Sequence, residues 1–173
     1  IRLSLVGSEM CIRDRTDVAI RTGPLADSQL IARKLGETRG VVVGSPAYLA
    51  RCGVPQTPED LAAHHLLGFD YARAVPGWRL GAAGESQLLQ PNGRVQASDG
   101  EALRHLALHG AGLAQLAAFT IADDLDSGRL VPVLEAFNQA PLESFYALYV
   151  GQGGHVPSRV RVFIDFLAQR VRL

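Results

Sequence analysis

Short runs of apolar residues alternate with amphipathic segments along most of the chain. The runs at residues 18–20 and 41–43 are each followed within four residues by glycine and proline, as expected for buried strands that end in turns. The same criteria predict further strands at residues 66–71, 78–80, 113–119, 130–134 and 144–150. This alternation of strands and helices predicts an α/β architecture with mostly parallel sheets.

Helix-start signals recur between the strands. Ser45 and Pro46 place a capping side chain before a proline at the first helical position, which predicts a helix over residues 46–51 that ends at Gly53. Residues 57–60 (TPED) predict a second, brief helix. Between residues 81 and 93 the sequence is polar and glycine-rich, which predicts a hairpin or loop.

The clearest helix start is at residues 98–101. Ser98 can cap the first amides, and Glu101 can reach back to the Ser98 amide, so the four residues predict a capping box. A short helix is predicted at residues 121–127, where Gly128 follows. At the end of the chain one helical stripe has the spacing of a helix packed on a sheet: Val160, Phe163, Ile164, Leu167 and Val171.

Composition limits the class of protein. Of the 173 residues, 47% are hydrophobic and 20% are charged, which is typical of one soluble domain or two small lobes. The 17 basic residues balance the 17 acidic residues. Since nucleic-acid-binding surfaces concentrate positive charge, we expect no direct contact with nucleic acid by this segment.

Two cysteines, Cys11 and Cys52, neither require a disulfide nor match a zinc spacing. There is no apolar run of the roughly 18 residues that a membrane-spanning helix needs. Arg13, Asp14 and Arg15 stand where a secretory signal would be apolar. We therefore expect a cytoplasmic protein that does not contact a membrane.

The amino-terminal residues 1–15 differ from the rest of the chain. Residues 4–15 (SLVGSEMCIRDR) resemble translated sequencing-adaptor sequence and show no helical or strand periodicity. An ordinary amphipathic segment is the alternative. We interpret residues 1–15 as non-native and exclude them from the functional argument.

Candidate catalytic and metal-binding residues are few. His105 and His109 are four residues apart on a predicted helix, but a third ligand is missing, and the helix carboxyl end accounts for them equally well. We expect a capping or surface role for His64 and His65. No nucleophile elbow and no dinucleotide-binding glycine motif is present. These observations predict a protein that is not an enzyme, with no catalytic residue, metal or cofactor.

The remaining candidate residues could bind a ligand rather than catalyse a reaction. The predicted helix start at Ser98 and Asp99 offers free amides and a partial positive charge, which suit a small carboxylate. Arg21 follows a buried strand, and together these groups would bind an acidic metabolite. The alternative is that Ser98 only caps its helix and that Arg21 forms a surface ion pair.

Several blocks, in this order and spacing, resemble the effector-binding domain of LysR-type transcriptional regulators. They are residues 17–21 (DVAIR), 30–36 (LIARKLG), 45–49 (SPAYL), 57–61 (TPEDL), 78–79 (WR), 98–103 (SDGEAL), 128–134 (GRLVPVL) and 160–167 (VRVFIDFL). The resemblance covers residues 16–173, and its specificity lies in the order of many weak blocks.

The resemblance implies a fold similar to type 2 periplasmic binding proteins, with two α/β lobes joined by crossing strands and a small-molecule effector in the cleft. Residues 16–44 and 140–173 would form a partial lobe one, and residues 45–139 would form lobe two. It further implies a homo-oligomer, dimer or tetramer, in which effector binding modulates DNA binding by an amino-terminal winged helix-turn-helix. The present sequence lacks that module and the first elements of lobe one, so we expect an amino-terminally truncated chain.

By position, the resemblance implies an effector site lined by Arg21, Phe69, Ser98, Asp99 and Phe119. For the two phenylalanines, ordinary core packing is the alternative. The alternative function is that of a solute-binding protein of a transporter with the same fold. An α/β enzyme is less favoured, since it would need His105, His109 and Asp99 in one cleft.

Overall fold

A computed structural model describes residues 17–23, 30–71, 77–82, 85–91, 93, 95–150 and 156–171. Residues 1–15, which we interpret as non-native, lie outside these ranges. The chain divides into two compact units, one formed by residues 1–37 and 143–173 and the other by residues 38–142.

Most of the predicted strands and helices are present, and the structure adds strands at residues 30–38 and 96–97 that the sequence did not predict. The strands are β1 Val18–Thr22, β2 Leu30–Thr38, β3 Gly40–Gly44, β4 Leu66–Phe69, β5 Trp78–Leu80, β6 Gln87–Leu89, β7 Gln96–Ala97, β8 Leu113–Ala117, β9 Val131–Pro132 and β10 Glu143–Val150. The α-helices are α1 Pro46–Cys52, α2 Gly100–Leu108, α3 Ala122–Asp126 and α4 Ser158–Arg170. Short 3-10 turns occupy Pro58–Ala63, Ala118–Thr120 and Glu135–Phe137.

The first unit contains a three-stranded sheet in the order β1-β10-β2. Strands β1 and β10 are antiparallel, with Val18 opposite Tyr149. Helix α4 packs Val160 and Ile164, each 3% exposed, against Ala147 of β10. Phe163 of the predicted stripe is 47% exposed, so the prediction for this residue was wrong. The described part of this sheet has three strands. Helix α4 packs on it through a single row of its own side chains.

The second unit contains a five-stranded sheet in the order β7-β4-β8-β3-β9. Strand β4 runs parallel to β7 and β8, whereas β3 is antiparallel to both β8 and β9. The sheet is therefore mixed, and the prediction of mostly parallel sheets was wrong. Periodicity shows that a segment is a strand, but it does not show the direction of the distant strand that pairs with it.

Both faces of this sheet are covered. Val41, Val42 and Val43 of β3 are at most 1% exposed. Val42 packs with Tyr48 and Leu49 of α1 on one face, while Val41 and Val43 pack on the other face with the residues of α2. This double burial explains why β3 is an uninterrupted apolar run.

Strand β3 belongs to the sheet of the second unit through its pairing with β8 and β9. The resemblance implies instead that residues 16–44, and therefore β3, belong to lobe one, and these lobe boundaries stay a prediction.

Helix α1 begins and ends as predicted. The Ser45 hydroxyl oxygen accepts the Tyr48 amide hydrogen at 3.4 Å, and Pro46 follows the cap. Gly53 ends the helix with φ +88°, a left-handed conformation that glycine adopts without steric cost. The prediction for this helix is confirmed.

The glycine-rich segment after β5 returns as β6, and the two strands form an antiparallel hairpin with Trp78 opposite Leu89. Trp78 and Leu80 are at most 4% exposed and pack into the core on the α1 face of the sheet. The predicted hairpin is therefore confirmed, and it adds a second layer to that face.

A buried ion-pair network joins α2 to α3. The Asp124 side chain is 0% exposed; its Oδ2 accepts a hydrogen bond from Arg104 Nε at 2.5 Å, and its Oδ1 lies 2.6 Å from Arg129 Nη2. The hydrogen bond from Arg104 holds the pKa of the Asp124 carboxyl below its usual value. Arg104 is itself mostly buried and also contacts Glu101. Loss of the carboxylate would leave this guanidinium short of a partner.

We predict that Asp124→Ala lowers the free energy of unfolding by about 3 kcal/mol, because it removes the buried carboxylate that Arg104 and Arg129 share and leaves Arg104 with only the exposed Glu101. Urea denaturation measures the change. Asp123→Ala is the matched control, since Asp123 is exposed on the same helix, and it should change stability by less than about 0.5 kcal/mol. Equal effects of the two substitutions would contradict the structural role of Asp124.

Candidate functional site

An open pocket of about 160 Å³ lies at the carboxyl end of β4 in the second unit. Its walls come from β4, from the β5–β6 hairpin, and from single residues of β7 and β8. Aromatic and amide side chains dominate the lining, which includes Phe69, Tyr71, Trp78, Gln90, Gln96 and Gln115. Apolar walls with a few polar groups are characteristic of small-molecule sites.

The aromatic wall is ordered by its own contacts. The Phe69 and Tyr71 rings meet edge to face, with their centroids 5.3 Å apart. Trp78, opposite them on the hairpin, is 4% exposed and is fixed by the core. The pocket therefore has one rigid aromatic wall and a second wall that faces solvent.

Gly68 allows the hairpin to approach β4. A Cβ atom at this position would lie 2.9 Å from both the ring and the carbonyl oxygen of Pro91. Any larger residue would push the hairpin away from the strand and alter the pocket. The glycine is required here for close approach rather than for its backbone conformation.

Gln115 is a polar residue in the otherwise apolar strand β8. Its Nε2 atom is buried and has no hydrogen-bond partner among the residues that the structure describes. A glycine at position 40 makes room for the side chain, because a Cβ there would lie 3.1 Å from Gln115 Cδ. An unpaired buried donor is unfavourable, and the residue that carries it is one of those that line the pocket.

Sequence reasoning missed Gln115 and the other two amides. The available signal was a polar residue inside the otherwise apolar run of residues 113–119. Periodicity treats such a residue as a surface position of the strand, so it gave no reason to place Gln115 in a site.

The structure brings only one of the predicted effector residues to this pocket. Phe69 lines it, whereas Ser98, Asp99 and Phe119 are not among its lining residues. Phe119 lies on the 3-10 turn after β8 and is 37% exposed. Arg21 lies on β1 in the first unit. The effector contacts proposed for these four residues stay predictions.

The amino end of α2 differs from the predicted capping box. The cap is Asp99, whose Oδ1 accepts the Ala102 amide hydrogen at 2.8 Å, and Ser98 donates its hydroxyl hydrogen to Asp99 Oδ2 at 3.3 Å. Glu101 pairs with Arg104 and His105 instead of turning back. The predicted capping role of Ser98 was therefore wrong by one residue, and a carboxylate of the chain occupies the helix start where an anion was expected.

His105 and His109 do not converge on one point. Their ring centroids are 6.4 Å apart, and His109 Nδ1 lies 2.8 Å from the His105 carbonyl oxygen, to which it donates. In the described ranges, no group of three or more His, Cys, Asp or Glu side chains is placed to hold a metal ion. The same ranges contain no helix that is both long and apolar enough to cross a membrane.

A buried tyrosine connects α1 to the start of β4. Tyr48 is 0% exposed, and its hydroxyl oxygen accepts the His65 amide hydrogen at 2.9 Å. The hydroxyl also lies 3.1 Å from His64 Nδ1, to which it can donate. Burial lowers the pKa of the His64 imidazole, while Asp60 opposes this shift and His65 adds to it. His64 is thus half-buried and hydrogen-bonded, where the sequence predicted a capping or surface role.

Comparison with known proteins decides the family. The model of the LysR substrate binding domain matches residues 2–172. The chain belongs to this family. The match includes most of residues 1–15, whose interpretation as non-native stays a prediction.

Relatives of the LysR family agree with this assignment. The chain is similar to the HTH-type transcriptional regulator CrgA of Neisseria meningitidis serogroup C, with 41% identity over 175 residues, which is 99% of this chain and 58% of CrgA. It is also similar to PtxR of Pseudomonas aeruginosa, with 34% identity over 92% of this chain and 51% of that protein. The chain therefore spans little more than half the length of the relatives that it matches.

Solved structures show the same relationship. The regulatory domain of CrgA superposes with a TM-score of 0.83 and 38% identity, covering 93% of this chain and 78% of that one. The effector domain of AmpR from Pseudomonas aeruginosa gives a TM-score of 0.68 and 26% identity, covering 91% and 72% of the two chains. The predicted LysR-type effector domain and its type 2 periplasmic-binding-protein-like α/β fold are confirmed.

We predict that Asp99→Ala destabilises the fold by about 1 kcal/mol, because it removes the cap of α2. Ser98→Ala, the matched neighbour, should cost less than about 0.5 kcal/mol. Thermal unfolding of the two variants measures both effects. A larger loss for Ser98→Ala than for Asp99→Ala would restore the capping box that the sequence predicted.

We predict that stability falls as pH decreases below 6.5, the ordinary pKa of histidine. Folding lowers the pKa of His64, so the unfolded chain binds the proton more readily; the contribution is complete above 6.5 and is lost as pH falls through the folded pKa. One such proton contributes a slope of at most about 1.4 kcal/mol per pH unit. His64→Gln should flatten the urea-denaturation profile between about pH 7.5 and pH 5. An unchanged slope in His64→Gln would exclude His64 as the group responsible.

Proposed function

We propose that this domain senses a small molecule for a bacterial LysR-type transcriptional regulator, and that the pocket at the end of β4 binds the effector. The single observation that carries the site is the lining of this pocket, which combines the paired rings of Phe69 and Tyr71 with the polar side chain of Gln115. Phe69, which the sequence analysis expected at the effector site, lines the same pocket.

The chemistry of the pocket supports binding rather than catalysis. Its lining includes no Asp, Glu, His, Cys or Ser side chain among the described residues. These are the groups that most often act in general acid–base and nucleophilic catalysis. We infer that the domain does not act as an enzyme, in agreement with relatives that are transcriptional regulators.

The remaining activities belong to the intact regulator. We propose that a winged helix-turn-helix outside this domain binds promoter DNA, that the regulator acts as a homo-oligomer, and that it works in the cytoplasm. The balanced charge of the chain, 17 basic and 17 acidic residues, supports assigning DNA contact to another part of the protein. The names of the relatives, which are HTH-type regulators, support the same division.

We predict that the intact gene encodes a winged helix-turn-helix followed by a long helix upstream of residue 17. Sequencing the source locus measures this directly, and residues 1–15 would then be replaced by the true preceding sequence. Gel-shift assays with the intact protein and its own promoter fragment should show binding that this domain alone does not give. A secretory signal upstream would instead support a solute-binding transport protein and exclude the regulator.

A further inference from the structure

The side chain of Asn138 joins two segments that are far apart in sequence. The chain passes between its two units after residue 37 and again after residue 142. Asn138 lies shortly before the second passage, and Gly40 begins β3 shortly after the first passage. Asn138 Nδ2 donates to the Gly40 carbonyl oxygen at 2.7 Å, although the two residues are 98 positions apart. The bond therefore ties the two connecting segments together within the second unit.

Both ends of the Asn138 amide have a partner that determines its orientation. The side-chain oxygen Oδ1 accepts the Ala140 amide hydrogen at 3.1 Å, while Nδ2 faces the Gly40 carbonyl. A backbone carbonyl can only accept a hydrogen bond and a backbone amide can only donate one. A reversed side chain would therefore place donor against donor and acceptor against acceptor, so the two partners select one arrangement of Asn138.

The backbone around Asn138 is bonded to the hairpin that forms one wall of the pocket. Hydrogen bonds of 2.9 and 3.0 Å join residues 137–139 to residues 79–81, and Leu80 lies opposite Asn138 in an antiparallel bridge. Leu80 belongs to β5, and Trp78 of the same strand lines the pocket. A displacement of β5 must carry residues 137–139 with it or break these bonds, which is unfavourable.

Gly40 also contacts the other side of the pocket. A Cβ atom at this position would lie 3.1 Å from the side chain of Gln115, which is one of the lining residues on β8. Gly40 is paired with Ala117 of the same strand. Gly40 is thus the residue at which β8 and, through Asn138, the β5–β6 hairpin converge on the segment that follows the first passage.

We propose that Asn138 is a positioning residue that couples the β5–β6 hairpin to Gly40, so that a rearrangement of the hairpin on effector binding reaches this connecting segment. The inference rests on the proposed effector-binding function of the pocket and adds a route for its regulation. Energetic coupling between separated sites is carried by such chains of hydrogen bonds and packed side chains.

A second contact joins the same two segments and has to be distinguished from Asn138. Arg39 Nη2 lies 2.8 Å from Glu135 Oε2, but both of these side chains are exposed. Exposed ion pairs contribute little, because water and salt screen them. The hydrogen bond of Asn138 is half-buried and neutral, so we expect it to carry the coupling and the ion pair to be dispensable.

A substitution in the hairpin stands in for effector binding in the test. Leu89 lies opposite Trp78 on β6 and packs against the core, so Leu89→Ala alters the hairpin without changing an aromatic ring. The ¹⁵N-labelled chain is compared with and without this substitution, and the backbone amide signals of β5 and of Gly40 are followed. We expect Leu89→Ala to shift both sets of signals. In an Asn138→Ala background the shift in β5 should remain, while the shift at Gly40 should fall by about half or more, because contacting residues respond non-additively.

Two further backgrounds separate the Gly40 bond from other effects. Asn138→Asp keeps the oxygen that accepts from Ala140 but presents a second oxygen to the Gly40 carbonyl, so it should lose the Gly40 response as Asn138→Ala does. Glu135→Gln is the matched control, since it removes the exposed ion pair and leaves Asn138 in place. It should keep the Gly40 response. A residue that only stabilised the fold would not show this selective loss.

Each result decides the coupling. It is overturned if Leu89→Ala shifts β5 but not Gly40 in the otherwise unchanged chain, or if the Gly40 response survives in Asn138→Asp. An equal loss in Glu135→Gln would also overturn it. Leu89→Val is the milder perturbation for the same comparison if Leu89→Ala unfolds the chain. The experiment contains no ligand, so its failure leaves the proposed effector site standing. A pocket that binds no effector would overturn the proposed function without changing the measured coupling.

Discussion

The fold of the second unit is stabilised by the burial of both faces of its mixed five-stranded sheet. Strand β3 lies between two antiparallel neighbours, and its three consecutive valines are almost completely excluded from water. Burial of this kind requires cover above and below, which α1 and the hairpin supply on one face and α2 and α3 supply on the other. The pocket exists because the hairpin covers its face incompletely at the end of β4, where the glutamines and aromatic rings meet solvent.

Hydrogen bonds and ion pairs of buried polar groups hold the helices in place on the sheet. The Tyr48 hydroxyl bonds the amide that precedes β4, so the position of α1 is tied to the strand that forms the pocket wall. On the opposite face the buried carboxylate of Asp124 joins the arginines of two segments. Hydrophobic burial is not directional, whereas these groups have only one satisfactory arrangement, and they select the register in which the layers pack.

Local sequence signals predicted the limits of helices such as α1, but they did not predict which strands pair or in which direction the paired strands run. The cap at Ser45 and the turn at Gly53 act within one helical turn, so the limits of α1 could be predicted. The antiparallel direction of β3 relative to β8 depends on residues more than seventy positions apart, and no local pattern encodes it. At residue 98 two adjacent side chains were both good caps, and Glu101 pairs with Arg104 within the same helix instead of closing a capping box on Ser98. Phe69 was found through family resemblance, while Gln115 was missed because its role depends on the hairpin that covers it.

The hairpin has a consequence for how this class of sensor diversifies. Strand β5 carries Trp78 and Leu80 into the core and is hydrogen-bonded to residues 137–139, whereas Gln87 and Leu88 of β6 are exposed. Strand β5 is therefore constrained by folding, while the return strand is held mainly at Leu89 and Pro91 and leaves the pocket residue Gln90 exposed. Mutation can change half of the binding wall while the other half keeps the domain folded, so new ligand preferences are accessible by drift in a segment of about ten residues without passing through unfolded intermediates.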